Sequence, residues 1–571
     1  MIGRLGRKAA ELELLLGDPG DPLGPYGFAA AVRRDERDEF PDELAGVLRE
    51  AGFHLDHLPA EWGGGFESFD RSLLLVRAAA RRDLNVMPAT MFSITAATCV
   101  RLHGSPEQQR WVAELLRRGG SVGFALSEQE HGSDLLANTA GLEPEGEGWR
   151  LSGEKWMVGL GQRCEALYLV ARTGERGPGA FTAVLLDLAP AAGRLDRGEA
   201  VPTSGMRGID FAHPRFDRLP VAREHLVGRP GEALEVAVKA QQVVRLMSTA
   251  GSLGCADTAL RLTLDFAAER RVGRSTLLET PYQRRELAIA SAALLVADAV
   301  ALAAARGIHV VPEQFSVWGC AAKHVVAEAV EDAIARCGAT LATRSVLRTE
   351  GPGGGVFQKL QRDAALVRVV DTSTLANLRS FSGQLPALAA AAARGAGDGP
   401  AARTVFALDE PLPPYDPTRL DLNARGRDLP TGTLAAVAGP AARALAEAGA
   451  PAVAELAERL LAAVRALPGE AAAAGTGTGP VDLAERFAWL HAAACCLQLW
   501  WAGRHLALYG QKPGSTAWLG GCLGYLLARA DQRPTRAAAE HLLPALDVLL
   551  DLRTEHRLFS AAPVPLARPV V

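Results

Sequence analysis

The sequence predicts a mainly α-helical protein with one central β domain and a helical C-terminal extension. Residues 1–123 and 229–394 carry apolar side chains at the three- and four-residue spacing of amphipathic helices. Residues 124–228 instead contain short alternating runs separated by turns at regular spacing, which is typical of a small all-β domain. A linker rich in Gly, Pro and Asp at 395–414 leads to further Ala- and Leu-rich helices at 415–571.

Length, charge and cysteine spacing indicate a large globular protein and give no sign of a nucleic-acid or zinc site. A chain of 571 residues, with 48% hydrophobic and 22% charged residues, can bury several cores. A formal net charge of −4 gives no reason to expect a nucleic-acid partner. The eight cysteines show neither CxxC pairs nor zinc spacing, and the N-terminus lacks the apolar segment of a signal peptide. We therefore expect a cytoplasmic protein with no metal site.

Local patterns place individual helices. Ser105 followed by Pro106 predicts a helix start, because Ser is a good N-cap and Pro suits the first helical position. The longest apolar run, at 291–306, contains Asp298. A charge at its centre favours a buried core helix over a membrane span.

Polar residues crowd into a turn at the start of the β domain. Ser, Glu, Gly, Ser and Asp lie within residues 127–134, directly after the apolar run Phe124–Leu126. Such a turn offers hydroxyl and backbone N–H groups to a ligand. Further along, residues 149–156 alternate in polarity around a Ser-Gly pair, which predicts a β-hairpin. Trp156 at its end is an aromatic residue available to stack on a flat cofactor.

Two of these segments carry a resemblance to a known family. The sequence FALSEQEHGSD at 124–134, followed by GEKW at 153–156, resembles the middle-domain signature of the acyl-CoA dehydrogenases. Gln129 replaces a Pro of the family pattern, and Trp156 stands one position earlier than the family's Trp. The resemblance spans about residues 40–390 and implies an α-helical domain, a β-barrel and an α-helical bundle. The extension at 415–571 is similar in length and place to that of very-long-chain members.

The resemblance implies a reaction as well as a fold. Members of the family use FAD to desaturate an acyl thioester: a carboxylate removes the α-proton and the flavin accepts the β-hydrogen as hydride. The substrate would be an acyl-CoA or an acyl group on a carrier protein. The electron acceptor would be an electron-transfer flavoprotein or O2, and the enzyme would be a homodimer or homotetramer.

Asp371 is the base that the resemblance implies. Asp371 is the tenth position when Arg362 is counted as the first. Most of the family has the Glu of Y-E-G-T-S at this position. A second group of the family takes its base from the position of Val244, before Arg245, and Val has no basic group. Asp is shorter than Glu by roughly 1.5 Å, and a misplacement of about 1 Å can cost on the order of 10²-fold in rate. The alternative is that Asp371 caps a helix.

The resemblance also assigns the binding residues. An Arg side chain can bind a phosphate with two hydrogen bonds, so Arg270 or Arg271 would meet an FAD phosphate, with a solvated basic helix end as the alternative. A glycine-rich turn permits close approach of a dinucleotide to the backbone. The residues assigned are Ser127, Trp156, Val158, Arg270, Gly353 and Gly354 for the cofactor, and Ser133, Asp134 and Arg245 for the substrate.

Two other functions stay open. One is a flavin monooxygenase on the same fold, which activates O2 and needs no α-proton base; the retained S-E-x-x-x-G-S-D turn argues against it. The other is a non-catalytic relative that binds an acyl thioester or a partner protein. Gly159, where the family has a Thr or Ser hydroxyl near the flavin, favours this second alternative.

Overall fold

A computed structural model describes residues 2–189, 195–349, 352–395 and 397–568. The chain forms two compact units that do not follow the sequence order. Unit 1 comprises Met1–Val32, Ser68–Arg82 and Arg245–Val571, and unit 2 comprises Arg33–Glu67 and Asp83–Val244.

Helices form nearly all of unit 1 and part of unit 2. The helices are α1 Ile2–Leu5, α2 Arg7–Leu16, α3 Phe28–Glu36, α4 Asp42–Glu50, α5 Phe69–Ala80, α6 Val86–His103, α7 Pro106–Arg117, α8 Ala233–Glu269, α9 Pro281–Val310, α10 Phe315–Leu341, α11 Val356–Val369, α12 Thr374–Ser382, α13 Leu385–Arg394, α14 Gly399–Phe406, α15 Leu429–Glu447, α16 Pro451–Ala473, α17 Gly479–Gly503, α18 Ala517–Ala530 and α19 Ala539–Thr554. As predicted, α7 begins at Pro106, and Ser105 and Gln108 form a capping box around its first turn.

The strands lie mainly in unit 2. They are β1 Val122–Ala125, β2 Gly141–Glu145, β3 Gly148–Glu154, β4 Val158–Gly159, β5 Ala166–Arg172, β6 Phe181–Asp187, β7 Leu195–Asp196, β8 Phe211–Ala212, β9 Arg215–Val221, β10 Leu226–Val227, β11 Arg271–Val272 and β12 Ser275–Thr276.

The central sheet is mixed and open. Its order is β10-β6-β5-β2-β3-β9-β7, and β1 pairs in parallel with β5. Because β10 and β7 are two separate ends of this path, the strands of the described residues do not close into the β-barrel expected for 124–228. Apolar residues cover both faces: Ala166, Tyr168 and Val170 of β5 join one buried cluster, and Leu167 and Leu169 join another.

The hairpin predicted at 149–156 is wrong. Ser152 and Gly153 lie inside β3, which pairs with β2 on one side and β9 on the other. Gly153 has φ +113, and the register with β9 shifts between Leu151 and Gly153. A Cβ at this position would lie 2.8 Å from the Cα of Ala140. The Ser-Gly pair therefore marks a β-bulge, and the real turn is at Gly146, between β2 and β3.

The apolar run at 291–306 is a buried helix, as predicted. It lies within α9, whose most apolar stretch is fully buried. Among the described residues α9 is the one helix long and apolar enough to cross a membrane by length and composition. Asp298 at its centre accepts a hydrogen bond of 2.6 Å from Arg77 Nη1. A paired charge of this kind is compatible with a helical core.

The C-terminal extension belongs to unit 1. The segment 395–414, predicted as a linker, contains α14, which Asp398 caps and whose Val405 and Phe406 are buried. After α19 the chain returns to the core: Phe559 N–H donates to Asp257 (2.9 Å) and Ala561 N–H donates to Asp298 (2.7 Å). Backbone donors from the tail thus bind buried carboxylates of α8 and α9.

Candidate active site

Asp371 lies on a tight turn between α11 and α12. Asp371 has φ +56 and Thr372 has φ +82, two successive non-glycine residues in a region of backbone conformation that such residues rarely adopt. The N-cap of α12 is Ser373, whose side chain accepts the N–H of Ala376 (3.3 Å). The alternative that Asp371 is the helix cap is therefore wrong, and its carboxylate is left for another role.

Arg245 of α8 holds this turn. Its Nη2 and Nε donate to Thr372 Oγ1 at 3.1 and 3.3 Å, and its Nη1 donates to Cys320 Sγ at 3.4 Å. Asn377 adds a bond of 3.0 Å from its side-chain amide to Thr372 O. Because Arg245 is only 6% exposed, its guanidinium is fixed beneath the turn rather than displayed on the surface. The structure thus brings together two predicted residues, Arg245 and Asp371.

Lys323 of α10 is a second buried cation at this site, and it was not predicted from the sequence. Its Nζ donates to Ser248 Oγ (3.0 Å) and to Val367 O (2.6 Å), a carbonyl in the last turn of α11. The side chain is 1% exposed. A lysine in the apolar sequence of α10 was the available signal, because an unpaired lysine is rarely fully buried.

The electrostatic environment of Asp371 suits a base. Its carboxylate is partly exposed and accepts no hydrogen bond from any residue that the structure describes. Burial raises the pKa of Asp371, and the charges of Lys323 and Arg245 oppose that rise. Burial also lowers the pKa of Lys323 to about 8, against the opposing charge of Asp371. A carboxylate with a raised pKa is a stronger proton acceptor once ionised.

In unit 2 a buried ion pair joins the two sequence motifs. Lys155 is fully buried, and its Nζ donates to Glu128 Oε1 (2.8 Å) and to Leu126 O (3.1 Å). Glu128 also accepts the N–H groups of Thr139 (2.7 Å) and Ala140 (2.9 Å). Burial raises the pKa of Glu128, but Lys155 and these N–H groups outweigh it and hold that pKa below its usual range. The pair fixes the polar turn of the first motif onto the strand of the second.

Three predicted cofactor residues lie beside this pair. Trp156 N–H donates to Ser127 O (2.9 Å), so these two residues are neighbours. The Trp156 indole is half-buried and stands edge-on to the ring of His213, with 5.9 Å between centroids. Val158 is only 1% exposed, because its side chain packs into the apolar cluster under the sheet. The backbone of Val158 is engaged as well, because it pairs with Ala212 of β8 and its carbonyl accepts the N–H of Gly161 (3.2 Å).

The predicted substrate residues of the same turn are accessible. Ser133 and Asp134 are both exposed, and the Asp134 N–H donates to His131 O (2.8 Å) within the turn. Their side chains take no part in the Glu128–Lys155 pair. Both side chains are accessible to solvent at the surface of unit 2.

The remaining predicted residues lie in unit 1. Arg270 is exposed, immediately after α8 and before the hairpin β11–β12, and its carbonyl accepts the N–H of Leu277 (2.7 Å). Gly353, Gly354 and Gly355 all have positive φ, at +64, +65 and +93. A Cβ on Gly355 would lie 2.3 Å from the carbonyl oxygen of Arg348, whereas one on Gly354 would meet nothing within 4 Å. The turn therefore needs glycine for its conformation and leaves free space at Gly354.

Three models of acyl-CoA dehydrogenase domains match the chain: the N-terminal domain at residues 28–119, the middle domain at 123–219 and the C-terminal domain at 231–373. Together they cover more than half of the sequence. The chain belongs to the acyl-CoA dehydrogenase family. The match to the C-terminal domain ends two residues after Asp371, so helices α12–α19 lie beyond it.

Individual relatives are distant. The chain is 24% identical over 310 residues to a probable acyl-CoA dehydrogenase (fadE25) of Mycobacterium leprae, which covers 52% of this chain and 78% of the relative. Among solved structures, butyryl-CoA dehydrogenase from Megasphaera elsdenii has a TM-score of 0.61 at 18% identity, covering 67% of this chain and 98% of its own. The prolyl acyl carrier protein oxidase AnaB has a TM-score of 0.59 at 16% identity, covering 67% and 98%. At these identities, the structural likeness concerns the fold.

Proposed function

We propose that this member of the family desaturates an acyl thioester with FAD as its cofactor and Asp371 as the base that removes the α-proton. The observation that carries the proposal is the state of Asp371: a carboxylate with no hydrogen-bond donor among the described residues and a raised pKa. It stands on a turn of two strained residues held from below by Arg245. Backbone strain of this kind is often kept at functional positions.

The residues present fit FAD. The exposed Arg270 offers a guanidinium to a phosphate, and Gly354 offers a backbone with no side chain in the way of a close approach. In unit 2 the half-buried indole of Trp156 offers a flat face to a ring system. When bound, FAD supplies an acceptor for the hydride from the β-carbon.

The protein's own contribution is position and proton transfer. Asp371 must be ionised to accept the α-proton, and its raised pKa makes it a better acceptor near neutral pH. Arg245 keeps the turn from relaxing through its bonds to Thr372. In unit 2, Ser133 and Asp134 are exposed on the turn that would receive the thioester arm. The likeness to a carrier-protein oxidase supports including carrier-bound acyl groups beside acyl-CoAs as substrates.

The partners that we propose follow the family. The reduced enzyme would pass its electrons to an electron-transfer flavoprotein or to O2. One similar fold is described as the electron transferring flavoprotein of Acidaminococcus fermentans (TM-score 0.59, 18% identity, covering 66% of this chain and 95% of its own), which supports testing the first acceptor. We further propose a cytoplasmic homodimer or homotetramer, which sedimentation of the purified protein would test.

The test is the visible spectrum of the purified protein under anaerobic conditions. We expect an oxidised-flavin spectrum that bleaches when butyryl-CoA, glutaryl-CoA or a prolyl carrier protein is added. In Asp371→Asn we expect bleaching to slow by on the order of 10²–10⁴-fold, the usual contribution of a general base, while acyl thioesters still perturb the flavin spectrum. Asp217→Asn, which removes an exposed carboxylate of β9, is the matched control.

Each other outcome points elsewhere. Unchanged bleaching in Asp371→Asn would remove Asp371 as the base. A flavin that no thioester bleaches, but that consumes O2 with NADH and a reductase, would support the monooxygenase alternative. A protein that stays colourless after incubation with FAD and still binds thioesters would support the non-catalytic alternative.

A further inference from the structure

We propose that Lys323 is a positioning residue for Asp371: it ties the turn that carries the carboxylate to α8 and supplies a buried positive charge that keeps the carboxylate ionised. This inference rests on the proposed function of Asp371 as the base. It assigns a role to a residue that neither the sequence motifs nor the family match had pointed to.

The geometry places Lys323 at the junction of three helices. From α10, its Nζ reaches Ser248 on α8 (3.0 Å) and the carbonyl of Val367 on α11 (2.6 Å). Val367 O is one of the last carbonyls of α11, which leave their helix without an N–H partner. A cation at this end also complements the helix dipole. Lys323 thereby fixes the end of α11, four residues before Asp371.

The charges around Asp371 make this link electrostatic as well as structural. The charged or titratable groups that face it are Arg245 from α8 and Lys323 from α10, and the thiol of Cys320 accompanies Arg245. Arg245 donates its hydrogen bonds to Thr372 and Cys320, and Lys323 donates two to Ser248 and Val367. Neither cation forms an ion pair with Asp371 among the described contacts, so both favour its ionised form while leaving its oxygens free.

The consequence is a defined pH dependence. A nearby positive charge favours the ionised form of a carboxyl group, and the charge of Lys323 lowers the pKa of Asp371 against the effect of burial. Replacing Lys323 by a neutral residue therefore raises the pKa of Asp371 further. Because the base must be ionised, the acid limb of the kcat profile moves to higher pH. A residue with only a structural role would lower activity at every pH without moving this limb.

The experiment compares Lys323→Gln, Lys323→Met and Lys323→Arg with the wild type in the holoenzyme. The rate is followed with an artificial electron acceptor and the acyl thioester from the panel above that bleaches the wild-type flavin best. We expect the two neutral variants to shift the acid limb upwards with little change in KM, and Lys323→Arg to restore it. Lys512→Met removes an exposed lysine and is the control for net charge.

A second readout needs no turnover. In the neutral variants the folded-state pKa of Asp371 lies further above its unfolded value, so protonation stabilises the folded state as the pH falls. Their loss of thermal stability relative to the wild type should therefore be smaller at about pH 5.5 than at about pH 8. Lys323→Arg should show no such difference.

The outcomes separate this inference from the proposed function. If none of the thioesters bleaches the flavin of the wild type, the proposed function fails, and the role of Asp371 as the base fails with it. If the wild type bleaches but the neutral variants keep the wild-type acid limb, the function stands and the role of Lys323 is refuted. If both neutral variants fail to fold while Lys323→Arg folds, the ammonium is a structural element and the inference is overturned.

Discussion

Replacement of Lys155 by Met should destabilise unit 2 strongly. The lysine is fully buried and is the cationic partner of Glu128, which is 4% exposed. Removing one member of a buried pair typically costs about 3–5 kcal/mol, because the other charge is left without a partner. Glu128 would keep the N–H groups of Thr139 and Ala140 at 2.7 and 2.9 Å, so we expect a loss near the lower limit, about 3 kcal/mol.

The assay is thermal unfolding followed by circular dichroism, with a double-mutant cycle. For a unit of this size, 1 kcal/mol corresponds to a shift of about 2–4 °C, so Lys155→Met should lower the midpoint by about 6–12 °C. Lys155→Met combined with Glu128→Gln should recover part of this loss, because no uncompensated charge is then buried. Lys512→Met provides the surface control.

The stability lost in Lys155→Met should depend on pH in a defined direction. In the wild type the folded-state pKa of Glu128 is lowered, so its stabilising contribution is present above the unfolded pKa and is lost as the pH falls. Without Lys155, burial raises that pKa instead, and protonation then favours the folded state. The deficit of Lys155→Met should therefore shrink as the pH is lowered from neutral towards about 5. Equal midpoints for Lys155→Met and Lys512→Met, or additive effects in the cycle, would refute the reasoning.

Three further predictions concern unit 1. Arg77→Met should lower the free energy of unfolding by about 3–5 kcal/mol, because Arg77 bridges Asp298 and the carbonyl of Phe559. The variant should also make the C-terminal tail sensitive to protease, and an unchanged digestion pattern would contradict this. Gly355→Ala should lower the unfolding midpoint more than Gly354→Ala. Both glycines have positive φ, but only a Cβ on residue 355 would lie against a carbonyl oxygen. Equal midpoints for the two variants would contradict this. Ser373→Ala should cost about 1 kcal/mol in urea unfolding, the usual value of an N-cap, and Ser373→Thr should retain most of it.

Much of the fold could be predicted because it depends on local patterns. A long apolar run with one central charge predicts the buried helix α9, and an N-cap Ser followed by Pro predicts the start of α7. The open sheet could not be predicted, since whether the ends of a strand path meet depends on pairing between distant segments. The hairpin at 149–156 was mispredicted because a Ser-Gly pair serves equally well in a turn and in a bulge, and only the partner strands decide between them.

The residues of the candidate site that lie in a family motif could be predicted. The residue that reaches the site only through tertiary packing was missed. Asp371 and Arg245 follow from register with family motifs, and the structure places both at one turn. Val158 was assigned to the cofactor by its position after the Lys of the family motif, yet its side chain points into the core. Lys323 lies in an apolar helix with no motif around it. Its partners are separated from it by 75 and 44 residues, so no local pattern connects them.

Lys323 shares one arrangement with two other residues, Lys155 and Arg77: each is a buried cation that donates to a backbone carbonyl just after a strand, in the last turn of a helix or in the C-terminal tail. Lys155 donates to Leu126 O, Lys323 to Val367 O and Arg77 to Phe559 O. Carbonyls at such ends have lost their regular partners, and leaving them unpaired in a buried place is costly. A cation satisfies the carbonyl and at the same time balances a nearby carboxylate: Glu128, Asp371 and Asp298 respectively.

This arrangement links stability to chemistry at Asp371. At Glu128 and Asp298 the cation is hydrogen-bonded to the carboxylate, so the pair is closed and serves the fold. At Asp371 the cation binds the carbonyl and a serine instead, and the carboxylate oxygens keep no donor among the described residues. At Glu128 the closed pair holds the carboxyl pKa below its usual range, so that carboxylate is ionised and weakly basic. An open one leaves it ionised yet able to accept a proton, which is the property that a base requires.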